Sequence, residues 1–189
     1  MASNPTSPTQ ATRSSADTKA RIIAVAQGVF AAKGYSHAGL REIATMAEVA
    51  PSLVVKYFGT KARLFEEALG EAIIPIPLFQ RDRARLGDQV VASVLDRAAP
   101  MHAPAMIALA LGDPESRAIV QRVVDDRIVA PMAEWIGADR AKAKALNLLA
   151  MTTGFSIFHR NMGPALTEEE RAQCGALFAR SLQDMVDAP

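Results

Sequence analysis

The chain has 189 residues, of which 50% are apolar by type, 22% charged and 5% aromatic, with a formal net charge of +1. That length can bury a core unaided, and the single cysteine, Cys174, excludes an internal disulfide framework or a multi-cysteine zinc cluster. No apolar run approaches the roughly 18 residues that span a bilayer, and the composition fits a reducing, cytoplasmic compartment.

The first sixteen residues are rich in Ser, Thr, Pro and Ala and lack the apolar segment of a secretory signal, so 1–16 reads as a disordered tail. From there the pattern is helical almost throughout, and the fold class is all-α. Asp17 and Thr18 are candidate N-caps for a first helix, with Ile22, Ala26, Val29 and Phe30 on one face and Gly34 as its stop. Leu40, Ile43, Ala44 and Ala47 mark a short second helix over 40–47. The turn Glu48-Val49-Ala50 leads to Pro51, which opens a third helix ending at Gly59. Thr60 caps a fourth helix through Leu64, Phe65, Ala68 and Leu69, until Pro75 and Pro77 break it. Residues 74–80 are therefore the expected joint between two modules, 17–65 and 66–189.

Beyond the joint, helices are expected near 87–97 and 104–111. Gly112-Asp113-Pro114 stops one helix and starts the next, which runs to Ile136 with a bend at Pro131 and ends at Gly137. Asp139 is the expected cap of a helix reaching Asn161. Thr167, with Glu170 three residues on, forms a capping box for a last helix to Val186.

Charge divides along the same line. Residues 1–65 carry a balance of +5 and residues 66–189 a balance of −4. In the basic half, residues 40–57 have the arithmetic of a helix-turn-helix. With Val54 and Phe58 turned to the core, Ser52, Leu53, Val55, Lys56 and Tyr57 fall on the opposite face and Lys61 just after it. Hydroxyls and lysines suit phosphate positioning, and an exposed Leu or Val suits contact with a thymine methyl in the major groove.

Enzymatic signatures are missing. His37, His102 and His159 are scattered without metal-ligand spacing, the glycines match no nucleotide fingerprint, and neither Gly-x-Ser-x-Gly nor His-Glu-x-x-His occurs. No cofactor or metal is expected, and Cys174 reads as a small packing residue.

The segments Phe30-Ala-Ala-Lys-Gly-Tyr35, Leu40-Arg-Glu-Ile-Ala44, Val49 and Leu53-Val-Val-Lys-Tyr-Phe-Gly-Thr-Lys61 with Leu64-Phe65 resemble the N-terminal signature of the tetracycline-repressor (TetR) family over residues 19–70. Gly112-Asp-Pro-Glu-Ser116, Val129-Ala-Pro-Met-Ala-Glu-Trp135 and Met151-Thr-Thr-Gly-Phe155 resemble one branch of that family's C-terminal bodies more thinly. The resemblance implies an operator-reading helix-turn-helix module followed by a helical ligand-binding and dimerisation domain. It places Arg41 and Thr45 at the DNA backbone or adjacent base edges, Ser52 and Leu53 at bases, and Lys56, Tyr57 and Lys61 at phosphates. Val55 stands where a DNA-contacting Tyr is common. Gly39 and Ala50 replace capping residues, and Glu48 replaces a Gly at a turn position that calls for positive φ.

The expected function is thus a homodimeric regulator, acting as a repressor released from a palindromic operator by a small apolar or amphipathic ligand. Its expected ligand-lining residues, among helices 86–160, are Met101, Met106, Leu109, Met132, Trp135, Met151, Phe155 and Phe158. Thr152, Thr153 and Ser156, near Phe155 and Phe158, could line a pocket, but packing between helices is the role favoured for each. Dimerisation is expected through helices 139–161 and 167–186, with Gly154 allowing close approach and Leu177, Phe178, Leu182 and Met185 as an apolar stripe. Two other readings use the same residues: a DNA-binding regulator that senses no small molecule, and a helical adaptor whose basic face meets an acidic partner protein.

Overall fold

The computed structural model describes residues 8–73, 82–137, 139–163 and 165–188, and among these every regular element is helical. The expected joint at 74–80 lies outside the described residues. Helix α1 (Pro8–His37) starts nine residues before Asp17, so residues 8–16 of the expected tail are helical and Asp17 and Thr18 are interior positions rather than caps. Pro8 suits a first helical position, where the missing N–H has no partner to lose. Ile22, Ile23, Ala26, Val29 and Phe30 are all buried along one face of α1. Gly34 interrupts it at φ 72°, and a Cβ there would lie 3.3 Å from the Leu109 Cβ. Only glycine satisfies both the dihedral and the contact.

Helices α2 (Leu40–Met46) and α3 (Pro51–Phe58) are joined by a tight turn in which Glu48 sits at φ 53°, the strained position read from the sequence. Gly39 and Ala50 precede these helices without any side-chain cap. Helix α4 (Lys61–Ala72) is capped by Thr60, whose hydroxyl accepts from the Arg63 N–H at 3.2 Å. Phe65 meets Phe30 edge-on at 5.0 Å and Tyr35 at 5.2 Å, locking α4 onto α1.

The body comprises α5 (Leu86–Leu95), α6 (Ala103–Leu109), α7 (Pro114–Val124), α8 (Ala130–Ile136), α9 (Ala141–Ser156) and α10 (Glu168–Asp187). Between α7 and α8 the bend expected at Pro131 is a π-helical turn, Asp125–Val129. Proline has no N–H to offer the carbonyl four residues back, and the wider turn accommodates the missing bond. Asp139 does not cap α9: Arg140 holds that position at φ 62°. The capping box at Thr167 and Glu170 forms as expected, with both reciprocal bonds present.

Two apolar cores result. The first unites α1–α4 with α6 and α7, through Ile43, Val54, Phe58, Leu69, Met106 and Ile119 among others. The second unites α5, α8, α9 and α10 through Leu86, Met132, Leu148, Leu182 and Val186. The expected module boundary after residue 65 falls inside α4, whose Ala68, Leu69 and Ile73 remain in the first core. Helices α5 and α10 approach so closely that a Cβ on Gly87 would lie 2.0 Å from the Ala179 carbonyl oxygen.

Candidate nucleic-acid interface and ligand cavity

Val54 and Phe58, one turn apart, anchor α3 in the first core. Helical geometry then turns Ser52, Val55 and Lys56 outward, and all three are exposed; Leu53 and Tyr57 flank them half-buried. On α2, Ile43 and Ala44 face inward while Arg41, Thr45 and Met46 are exposed. Met46, 58% exposed, was not among the residues singled out in the sequence.

The polar groups of this face divide into free and committed. Among the described residues, the side chains of Arg41, Lys56 and Arg63 have no hydrogen-bond or ion-pair partner and project positive charge into solvent. Lys33, by contrast, is paired with Glu42 at 2.5 Å. Thr45 donates its hydroxyl to the Arg41 carbonyl at 3.0 Å, and the Tyr57 hydroxyl is hydrogen-bonded to Ser15 Oγ at 2.9 Å. Lys61, to which the resemblance gives a phosphate role, is bonded to the protein's own main chain. Its ammonium donates to the Tyr35 carbonyl at 2.9 Å and the Ala38 carbonyl at 3.4 Å, and lies 4.4 Å from the Tyr35 ring centroid. Those carbonyls lie at and just beyond the end of α1, where no intrahelical N–H follows, and Lys61 satisfies them.

The body contains a cavity of about 200 Å³ lined by side chains from both cores. Ile73 and Ile107 approach from the first, and Leu86, Met132, Leu148 and Leu182 from the second. Of the eight expected lining residues, Met101 and Met132 reach it. The other six lie elsewhere. Met106 is packed inside the first core, and Trp135 lies under the Arg83 guanidinium at 5.2 Å. Met151 packs against the second core, and Phe155 is stacked face to face on Phe178 at 4.0 Å. Leu109 and Phe158 are exposed. Thr152, Thr153 and Ser156, assigned to helix packing, line the cavity instead, because small side chains on α9 leave the space that larger ones would fill. Arg127, on the π-helical turn, also lines it.

Two hydroxyls tie the end of α1 to the start of α7. Tyr35 donates to Glu115 Oε2 at 2.5 Å, and Ser36 donates to Asp113 Oδ2 at 3.4 Å. Burial, reinforced by the neighbouring Glu115 carboxylate, pushes the Tyr35 phenol well above its usual range. Asp113 caps α7 by accepting from the Ser116 N–H, and that bond holds its carboxyl below the usual carboxylate range.

Residues 22–68 match the family described as bacterial regulatory proteins, tetR family, and residues 84–186 match the tetracyclin repressor-like C-terminal domain. The chain belongs to the TetR family. As a TetR-family protein it is a DNA-binding transcriptional regulator and not an enzyme. Its fold is similar to that of a protein from Rhodococcus sp. assigned to the TetR family (TM-score 0.70, 14% identity, 91% of this chain and 100% of that one). It is also similar to GusR of Salmonella enterica (TM-score 0.64, 18% identity, 90% and 93%). A third similar structure is NalD, the secondary repressor of the MexAB-OprM multidrug efflux pump in Pseudomonas aeruginosa (TM-score 0.62, 22% identity, 89% and 95%). No curated protein matches the sequence. Among the described residues, no helix of this TetR-family chain is long and apolar enough to cross a membrane.

Proposed function

We propose that the protein is a homodimeric repressor that binds a palindromic operator and is released by a small apolar or amphipathic molecule held in the body cavity. The position of that cavity carries the reading. It is bounded by Ala72 and Ile73, the last turn of α4, and α4 begins three residues after the recognition helix α3 ends. A molecule filling the space between the two cores contacts α4 directly and so biases where the reading head sits. Dimeric helix-turn-helix proteins set their recognition helices about 34 Å apart, and a shift in that spacing lowers affinity for a fixed operator.

The remaining contacts follow from exposure. Arg41 and Lys56 supply free positive charge for phosphates, with Thr45 beside them, while Ser52, Leu53 and Val55 face base edges and Tyr57 borders the groove. Dimerisation uses the faces of α9 and α10 that remain open. Leu146 and Leu177 are exposed there, as are Phe158 and Met162 on the π-helical turn Ile157–Met162 that follows α9, and the Phe155–Phe178 stack lies between the two helices. Leu182, expected on that stripe, is buried against α5 and belongs to the second core.

Selection of duplexes from a random pool by the full-length protein tests the operator symmetry, with an inverted repeat as the expected product. The recovered complex is then challenged with straight-chain alkanols of four to ten carbons. Release is expected from the wild type and not from Met132→Trp, which fills the cavity. Equal release from both proteins overturns the cavity as the sensing site. Lys56→Ala is expected to weaken binding to all duplexes and to lower the salt slope by about one, whereas an adaptor for acidic proteins shows no duplex preference.

A further inference from the structure

Resting on the DNA-binding reading above, we infer that the recognition helix reads its operator through thymine 5-methyl groups, with Val55 as the specificity-determining residue. The first observation is chemical. Bidentate recognition of guanine uses Arg or Lys, and of adenine Asn or Gln. Helix α3, Pro-Ser-Leu-Val-Val-Lys-Tyr-Phe, contains no Arg, Asn, Gln, Asp or Glu. Its one long polar side chain, Lys56, is the residue assigned to phosphates above.

The second observation is geometric. Ser52, Val55 and Lys56 are the exposed side chains beyond Pro51, and Ser52 lies between the other two around the helix axis, with Val55 at one edge of the strip. Half of its surface is open to solvent although Val54 and Phe58 beside it are buried. Val55 and Met46 are the two large apolar side chains exposed in residues 15–73, one on each half of the helix-turn-helix. The third observation removes competitors. Thr45 and Tyr57 already hydrogen-bond within the protein, and Lys61 is bound to the Tyr35 and Ala38 carbonyls. What remains to distinguish one base pair from another at the centre of α3 is a branched aliphatic surface flanked by one hydroxyl. The major-groove feature that rewards such a surface is the methyl group of thymine.

The test uses the operator recovered from a random pool with the full-length protein. Thymidine is replaced by deoxyuridine one position at a time, and affinity is read by fluorescence anisotropy at fixed salt. Wild type is expected to lose about threefold to fivefold at one or two positions per half-site, the worth of one buried methyl. At those positions cytosine followed by 5-methylcytosine is expected to show the same step in reverse. Val55→Ala is expected to bind the thymidine and deoxyuridine operators equally, with an unchanged salt slope and an unchanged melting midpoint. Wild type binding both operators equally overturns the proposal. So does Val55→Ala retaining the wild-type ratio, because another residue then carries it. Failure to recover any duplex overturns the DNA-binding reading itself, and this proposal with it.

Discussion

The hydroxyl of Tyr35 and the carboxylate of Glu115 meet at 2.5 Å across eighty residues of chain, joining the end of α1 to the first turn of α7. Because Tyr35 also packs on Phe65 and accepts the Lys61 ammonium at its carbonyl, one residue connects the body to the first turns of α4. Tyr35→Phe keeps the ring contacts and removes only the bond. It is expected to cost about 1–2 kcal/mol in chemical denaturation and to narrow the difference in operator affinity with and without ligand. The phenol's pKa is raised in the folded state, so the folded protein holds its proton while the unfolded chain releases it above pH 10. Wild-type stability should therefore fall more steeply than that of Tyr35→Phe as pH rises past 10.

Two lysines that look alike in the sequence should behave differently. Lys56 projects from α3 without a partner, whereas Lys61 binds the Tyr35 and Ala38 carbonyls at the end of α1. Lys61→Ala is expected to destabilise the fold by about 1–2 kcal/mol, while Lys56→Ala should leave the melting midpoint in place. Thermal melts of both variants beside their salt titrations on DNA separate the roles.

Glycines divide in the same way. Gly87→Ala forces a methyl against the Ala179 backbone, so α5 and α10 must part, at a cost of about 2–3 kcal/mol or more. Nothing lies within 4 Å of a Cβ on Gly28, in the middle of α1. Gly28→Ala should raise stability by roughly 0.5–1 kcal/mol through helix propensity alone. Denaturant midpoints of the two variants are expected to move in opposite directions.

Leu177 is 64% exposed on α10 and makes no contribution to either core. Leu177→Glu should fold with an unchanged circular dichroism spectrum and sediment as a monomer, with operator affinity falling as the second reading head is lost. A variant that remains dimeric moves the subunit contact away from α10.

Helix ends and inward faces were legible in the sequence wherever a local rule decides them. Val54 and Phe58 lie four apart and both are buried, Gly137 ends α8 in the left-handed region, and Thr167 and Glu170 close their box. The cavity was not legible. Methionine and aromatic side chains announce burial without saying against what, so Met106 went to one core, and Met151 to the wall of the other. Open space instead follows the small residues Ser93, Thr152 and Ser156, whose significance depends on three helices meeting. The bonds of Lys61 were not legible for a related reason. Its partners are main-chain oxygens, which carry no signature in the amino-acid string.

The extra residue in the π-helical turn at Asp125–Val129 has an effect beyond the bend it makes. Ile119, Val120 and Val123 before it serve one core, and Val129 at its end with Met132 and Ile136 beyond it serve the other. One rod is thereby clocked to address two separate interiors, and shortening it by a single residue would turn Met132 and Ile136 toward water while leaving the reading head intact.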